Sequence, residues 1–198
     1  MISWDERYSA DPFIYGTAPN RWVVEQALGF PPRARILSLG EGEGRNAVWL
    51  AEQGYTVDAV DGSPVGLQKA RRLAAERGVA ITTTVDDLAH HRPAAATYDA
   101  LVLVYVHLPP SGRAWMHARG EEALRAGGLV ILEAFSPRQL SFSSGGPRQA
   151  DMLYDVDLLR ADFPRVSWDV LEDVEIDLNE GTLHRGRAAV VRGVGRVR

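Results

Sequence analysis

The chain has 198 residues, 22 lysines and arginines against 26 acids, a net charge of −4, 45% hydrophobic residues and no cysteine. Such a balance fits one ordinary globular domain able to bury its own core, and it excludes disulfides, thiolate zinc sites, iron–sulfur clusters and a cysteine nucleophile. A net negative chain lacks the basic field that concentrates nucleic acid, so no such partner is expected. The longest apolar runs, 101–106 and 129–132, are too short to span a bilayer. Charge at Asp5, Glu6 and Arg7 falls where a signal peptide needs its apolar region. The expectation is a cytoplasmic protein without a membrane partner.

After a leader, residues 35–39 read as a short strand that runs into a glycine-rich turn. A helix follows to about Gln53, with Ala47, Val48, Leu50 and Ala51 inward and Gly54 as its stop. Residues 55–60 form a second strand. Ser63 and Pro64 then start a helix with Leu67, Ala70, Leu73 and Ala74 as its buried stripe, ended by Gly78. A third strand covers 79–85. The run 100–106 suits a central strand covered on both faces. Ser111 is expected to cap a helix that runs to Gly127-Gly128, and 129–134 forms the fifth strand. A helix near 149–161 packs through Met152, Val156 and Leu159. Alternation over 166–178, a turn at 179–181 and a second run over 182–192 predict a terminal hairpin. The fold class is α/β: a Rossmann-like, doubly wound, seven-stranded, mostly parallel sheet with a C-terminal antiparallel β-hairpin. Ligands on such sheets bind beyond the carboxyl ends of the strands, here at the turn after the first one.

That turn reads Gly40-Glu41-Gly42-Glu43-Gly44-Arg45, between a strand and a helix. Glycine allows positive φ and close approach of a ligand to the backbone. Asp61, followed by Gly62 and Ser63, ends the second strand and suits the two hydroxyls of a ribose. The same residues also describe a plain strand–helix turn with an N-cap. A dinucleotide fingerprint wants glycine where Arg45 stands, and Glu41 and Glu43 would repel a pyrophosphate. No Gly-Lys-Ser/Thr sequence exists for a phosphate loop. Lys69, the sole lysine, has Val65 four residues before it, so the Tyr/Lys pair of a short-chain dehydrogenase is missing. An acidic loop suits a phosphate-free, positively charged nucleoside, and S-adenosylmethionine meets that description.

The run 36–47 resembles the first motif of class I S-adenosylmethionine-dependent methyltransferases, in the tellurite-resistance and thiopurine methyltransferase-like branch. Trp4-Asp5-Glu6-Arg7-Tyr8, Tyr15-Gly16 and Pro19-Asn20 resemble that branch's N-terminal segment. Asp87-Leu88, His107-Leu108-Pro109, Gly127-Gly128, Gly145-Gly146-Pro147 and Glu180-Gly181 with His184 match it too, so the resemblance covers nearly the whole chain. It implies one unit, with 1–30 as a lid segment and 31–198 as the core. Gly40, Glu41, Gly42, Gly44 and Arg45 would approach the methionine part of the cofactor, and Asp61 with Gly62 and Ser63 the ribose. Asp87 and Leu88 would read the adenine edge, Val104 and Tyr105 would line the sulfonium, and Arg7 and Tyr15 would meet the cofactor's carboxylate. Ser38 departs from the family, which commonly has an acid there; Glu41 is expected to supply the missing charge.

Methyl transfer is an in-line displacement that rests mainly on alignment. His107, after the fourth strand, reads equally as a base or as a loop histidine capping the next helix. With Tyr105, His184 and Arg185 it completes the expected catalytic set, and 135–147 reads as a mobile acceptor loop. His90-His91 is expected in a surface loop, and no spacing suggests a metal. Leu108-Pro109-Pro110-Ser111 lacks both the polar first and the aromatic last residue of the motif used by amino-group methylases of nucleic acid. The expected activity is methyl transfer to a small molecule, either a chalcogen oxyanion such as tellurite or selenite or a thiol, by a monomer or homodimer. The alternatives are a non-catalytic module that binds S-adenosylmethionine or S-adenosylhomocysteine, and an NAD-dependent oxidoreductase.

Overall fold

A computed structural model describes residues 3–10 and 12–198. Its centre is a seven-stranded sheet in the order β3-β2-β1-β4-β5-β7-β6. The strands are β1 (Arg35–Leu39), β2 (Thr56–Asp61), β3 (Thr82–Val85), β4 (Tyr98–Val104), β5 (Leu124–Phe135), β6 (Val166–Glu180) and β7 (His184–Val197). β1 to β5 pair in parallel, while β7 runs antiparallel to both β5 and β6. The chain leaves β1 towards β2 and β3, then returns to β4 on the other side. A crevice therefore opens between the carboxyl ends of β1 and β4.

The expected alternation of inward side chains holds. Leu37, Leu39, Leu101, Leu103, Val130 and Leu132 face one layer, with Met116 and Leu159 from α5 (Pro110–Ala123) and α6 (Val156–Asp162). Ile36, Ala100, Val102 and Ile131 face the other, against Trp22 and Val23 of α2 (Arg21–Gln26) and Leu50 of α3 (Arg45–Glu52). Both faces of the central strands are thus covered, which is why those strands read as continuous apolar runs. On α4 (Pro64–Glu76), Ser63 is the N-cap, its hydroxyl accepting from Gly66 N at 3.0 Å.

Several boundaries differ from the sequence reading. α5 begins at Pro110 with Pro109 as its N-cap, so Ser111 lies inside the helix and does not cap it. The helix stops at Ala123 because Leu124 is already paired with Tyr98, and Gly127-Gly128 sit within β5. The helix expected over 149–161 is two pieces, a 3₁₀ turn at Ala150–Met152 and α6. Between them the chain is extended, Tyr154 N donates to Phe135 O at 3.1 Å, and the Tyr154 side chain is buried. β3 is shorter than expected and β7 longer. The leader contains α1 (Trp4–Tyr8), closed by a Ser3–Glu6 capping box, as well as α2.

Candidate active site

Gly40 and Gly42 both have positive φ, 68° and 60°. A Cβ on Gly40 would lie 2.5 Å from Val106 Cγ2, and one on Gly42 would lie 2.6 Å from Tyr8 Oη. The turn is therefore closed to side chains on steric grounds as well as conformational ones. Gly44 opens α3 without a side-chain cap, and Glu41 supplies one: its Oε1 accepts from Asn46 N at 3.1 Å and Ala47 N at 2.9 Å. Its Oε2 takes the Ser38 hydroxyl, and burial raises its pKa. Glu43 pairs with Lys69 at 2.5 Å and accepts from Ile14 N at 2.8 Å. These contacts correct the charge argument. Both carboxylates of the turn have partners in the protein, so Glu41 does not stand free to receive an ammonium group. What the turn offers a ligand is glycine backbone.

Asp61 ends β2 at 8% exposure. Its Oδ2 accepts from Gly42 N and its Oδ1 from Ser63 N, each at 2.8 Å, and burial raises its pKa. Two backbone N–H groups hold the carboxylate in place, and each oxygen keeps a lone pair for a further donor. Gly62 is exposed beside it. A glycine turn followed by an anchored carboxylate fits a nucleoside whose ribose hydroxyls donate. Beyond β3, Asp87 is exposed and faces His90 at 2.9 Å, while Leu88 is buried in the core. The backbone N–H of Ala89 and then His90 lower the Asp87 pKa.

At the ends of β4, β5 and the hairpin lies a buried polar cluster. Tyr105, which follows Val104 with a φ of 54°, donates from its hydroxyl to Glu133 Oε1 at 2.7 Å. Asn20 Nδ2 donates to the same oxygen at 2.7 Å and to Glu180 Oε1 at 3.1 Å. Glu180 Oε2 pairs with Arg45 at 2.9 Å and lies 3.5 Å from His184 Nδ1. Although burial opposes it, contact with His184 and Arg45 brings the Glu180 pKa down to about 2. Burial moves Glu133 the other way, upward. The His184 ring touches those of Tyr15, Tyr105 and Phe135, with centroids 4.5, 4.7 and 5.2 Å away. Arg7 Nη1 donates to Tyr15 Oη at 3.2 Å, which links the leader to this cluster. Arg45 Nη1 and His184 Nδ1 are buried without a hydrogen-bond partner among the described residues.

Two expected catalytic residues are not placed for chemistry. His107 has both nitrogens engaged: Nδ1 lies 2.6 Å from Met152 O, and Nε2 accepts from Phe135 N at 3.1 Å. Burial lowers its pKa to about 4. It clasps the 135–152 segment to β5 and offers no free base. Arg185 is exposed because alternation along β7 sends it to the side opposite His184. Conversely, Asn20, Glu133 and Glu180 were not among the expected site residues. The signal for Glu133 was a lone acid inside an apolar strand, a placement that a buried carboxylate needs partners to sustain.

Residues 36–128 match the family described as "Methyltransferase domain". A 56-residue stretch is 39% identical to a 2-heptyl-1-hydroxyquinolin-4(1H)-one methyltransferase of Mycobacteroides abscessus, over 28% of this chain and 25% of that one. The chain thus spans about a quarter of that curated relative. Among solved structures, TehB from Haemophilus influenzae superposes with a TM-score of 0.75 at 19% identity, covering 92% of this chain and 64% of that one. The N-methyltransferase NodS from Bradyrhizobium japonicum WM9, in complex with S-adenosyl-L-homocysteine, does so at 0.73 and 14%, covering 98% and 96%. The fold is the one these solved structures share, and the glycine turn lies inside the stretch that matches the methyltransferase domain. No helix among the described residues is long and apolar enough to cross a membrane.

Proposed function

We propose that the protein methylates a small molecule, a thiol or a chalcogen oxyanion such as tellurite or selenite. When bound, the cofactor supplies a methyl group on a sulfonium, and the chain's own work is to hold, align and exclude water. The anchored Asp61 beside the glycine turn carries this reading. Gly40 to Gly44 and Arg45 are assigned to the methionine part, Asp61 with Gly62 and Ser63 to the ribose, and Asp87 and Leu88 to the adenine edge. Val104 and Tyr105 line the reacting region, while Arg7 and Tyr15 close the leader over it. His184, Tyr105, Glu133 and Glu180 form the acceptor side. Similarity to TehB supports chalcogen chemistry only through a shared fold, which hosts many acceptors.

Calorimetric titration with S-adenosylhomocysteine tests the cofactor site, with NAD as control. Wild type should bind the former alone. Asp61→Ala should weaken binding by about 1–3 kcal/mol, the cost of a lost charge-assisted hydrogen bond. Binding of NAD alone, or equal affinity in the variant, would remove the assignment.

A further inference from the structure

Beyond the end of β5, the segment 136–149 runs back beside β7, with Ser136 N donating to Ala189 O at 3.1 Å. Between segment and strand lies a cavity of about 480 Å³, the size of a small-molecule site. Buried side chains build its wall. Gln139 accepts from Ala189 N at 2.8 Å and donates to Ser144 Oγ at 3.1 Å and Gly145 O at 3.0 Å. The Ser144 hydroxyl in turn donates to Arg187 O at 2.7 Å. On its inner side the segment has no slack, since a Cβ on Gly145 would lie 2.7 Å from the His184 ring and one on Gly146 2.8 Å from that of Phe135. Arg185 and Arg187 alternate with His184 along β7 and stand on the opposite, exposed side.

Three arginines line the cavity, Arg148, Arg185 and Arg187, and no acid does among the described residues. Arg148 Nη1 donates to Phe142 O at 3.0 Å and Leu140 O at 3.4 Å, carbonyls that leave its charge unbalanced. Arg185 stands across from Asn179 and has no ion-pair partner among the described residues. Carboxylates meet Arg187 instead: it shares Glu175 with Arg138, which also holds Asp173, and it stands across from Asp177. Two guanidiniums therefore lack a counter-ion. Arginine forks take phosphate oxygens in pairs, and two of them balance a dianion, whereas a monocarboxylate would leave one unbalanced. A bare ion would leave the space beside Leu140 and Phe142 unfilled. We infer that this cavity binds a small organic phosphate monoester through Arg148 and Arg185, at a site separate from the proposed cofactor crevice. Bound there, the ester ties residues 140–148 to β7, and so fixes the segment whose inner face packs on His184 and Phe135.

Calorimetric titration of the full chain with glucose 6-phosphate tests this, against glucose, acetate, sulfate and inorganic phosphate at one ionic strength. Wild type should bind one equivalent of the ester and neither glucose nor acetate. Arg148→Gln and Arg185→Gln should each weaken binding about 10- to 100-fold, the size of a lost charge-assisted hydrogen bond. Arg160→Gln, which removes an exposed arginine of α6, should leave it unchanged. Amide exchange over 137–149 should slow when the ester binds, and saturating S-adenosylhomocysteine should not displace it. Sulfate or inorganic phosphate binding as tightly as the ester would mean an adventitious ion only, and an equal loss in Arg160→Gln would mean diffuse surface attraction. Either result overturns the inference, as do absence of ester binding, unchanged affinity in both cavity variants, or displacement by S-adenosylhomocysteine.

Discussion

His107 and His184 both stand beyond the carboxyl edge of the sheet, yet their surroundings separate them. His107 bridges Met152 O and Phe135 N, so its ring acts as a backbone staple between β5 and the following loop. Its loss leaves the Met152 carbonyl and the Phe135 N–H without this partner. His107→Ala should therefore cost about 1–3 kcal/mol for each group left unpaired, measured by chemical denaturation. The pH dependence has a definite sign. The folded pKa of about 4 lies below the ordinary 6.5, so this contribution is present above pH 6.5 and is lost as pH falls towards 4. The stability gap between wild type and variant should narrow across that window; a gap independent of pH would show that the neutral ring is not what the fold requires. Residue type alone could not separate the two histidines, because a base and a staple use the same ring. The backbone groups within reach make the difference.

Elements add a constraint invisible in any one residue. The leader is fastened to the core by Lys69 on α4, whose ammonium reaches Glu43 at 2.5 Å, Ala10 O at 2.7 Å and Tyr8 O at 3.2 Å. The hairpin turn adds a second tie, with Thr182 N donating to Ile14 O at 2.8 Å. Lys69→Met would leave Glu43 buried opposite no cation, and removing one partner of a buried pair costs about 3–5 kcal/mol. That loss should appear in thermal denaturation, together with faster amide exchange over residues 4–10 and 12–15. Exchange confined to α4 would show that the leader is held by other contacts. Helix and strand cores were legible from periodicity, whereas their ends were not. α5 stops at Ala123 because Leu124 finds a strand partner in Tyr98, a tertiary event that overrides the Gly127-Gly128 signal. Likewise, the pairing of Tyr154 with Phe135 splits what reads as one helix.

Across the whole molecule, β7 decides the most. It lies between β5 and β6, pairs with both, and buries Val190 and Val191 completely. A chain ended at residue 183 would leave β6 without its partner and uncover the apolar edge of β5. Such a chain should show no cooperative unfolding transition by circular dichroism; a sharp one would place the folding unit in the first five strands. The same strand closes the buried polar cluster, because Glu180 and His184 stand on either side of its turn. The sequence alone determined the strand–helix alternation, the glycine turn and the carboxylate 21 residues after Gly40. Each follows from local physics: apolar period, positive φ, and the short path from one strand end to the next. The tertiary structure alone decided the buried polar cluster, in which Asn20 bonds Glu133 and Glu180 across 113 and 160 residues. It also turned the acids of the glycine turn inward and tied up both nitrogens of His107. Those outcomes depend on strand order and register, which bring distant residues together and leave no local period in the chain to announce it.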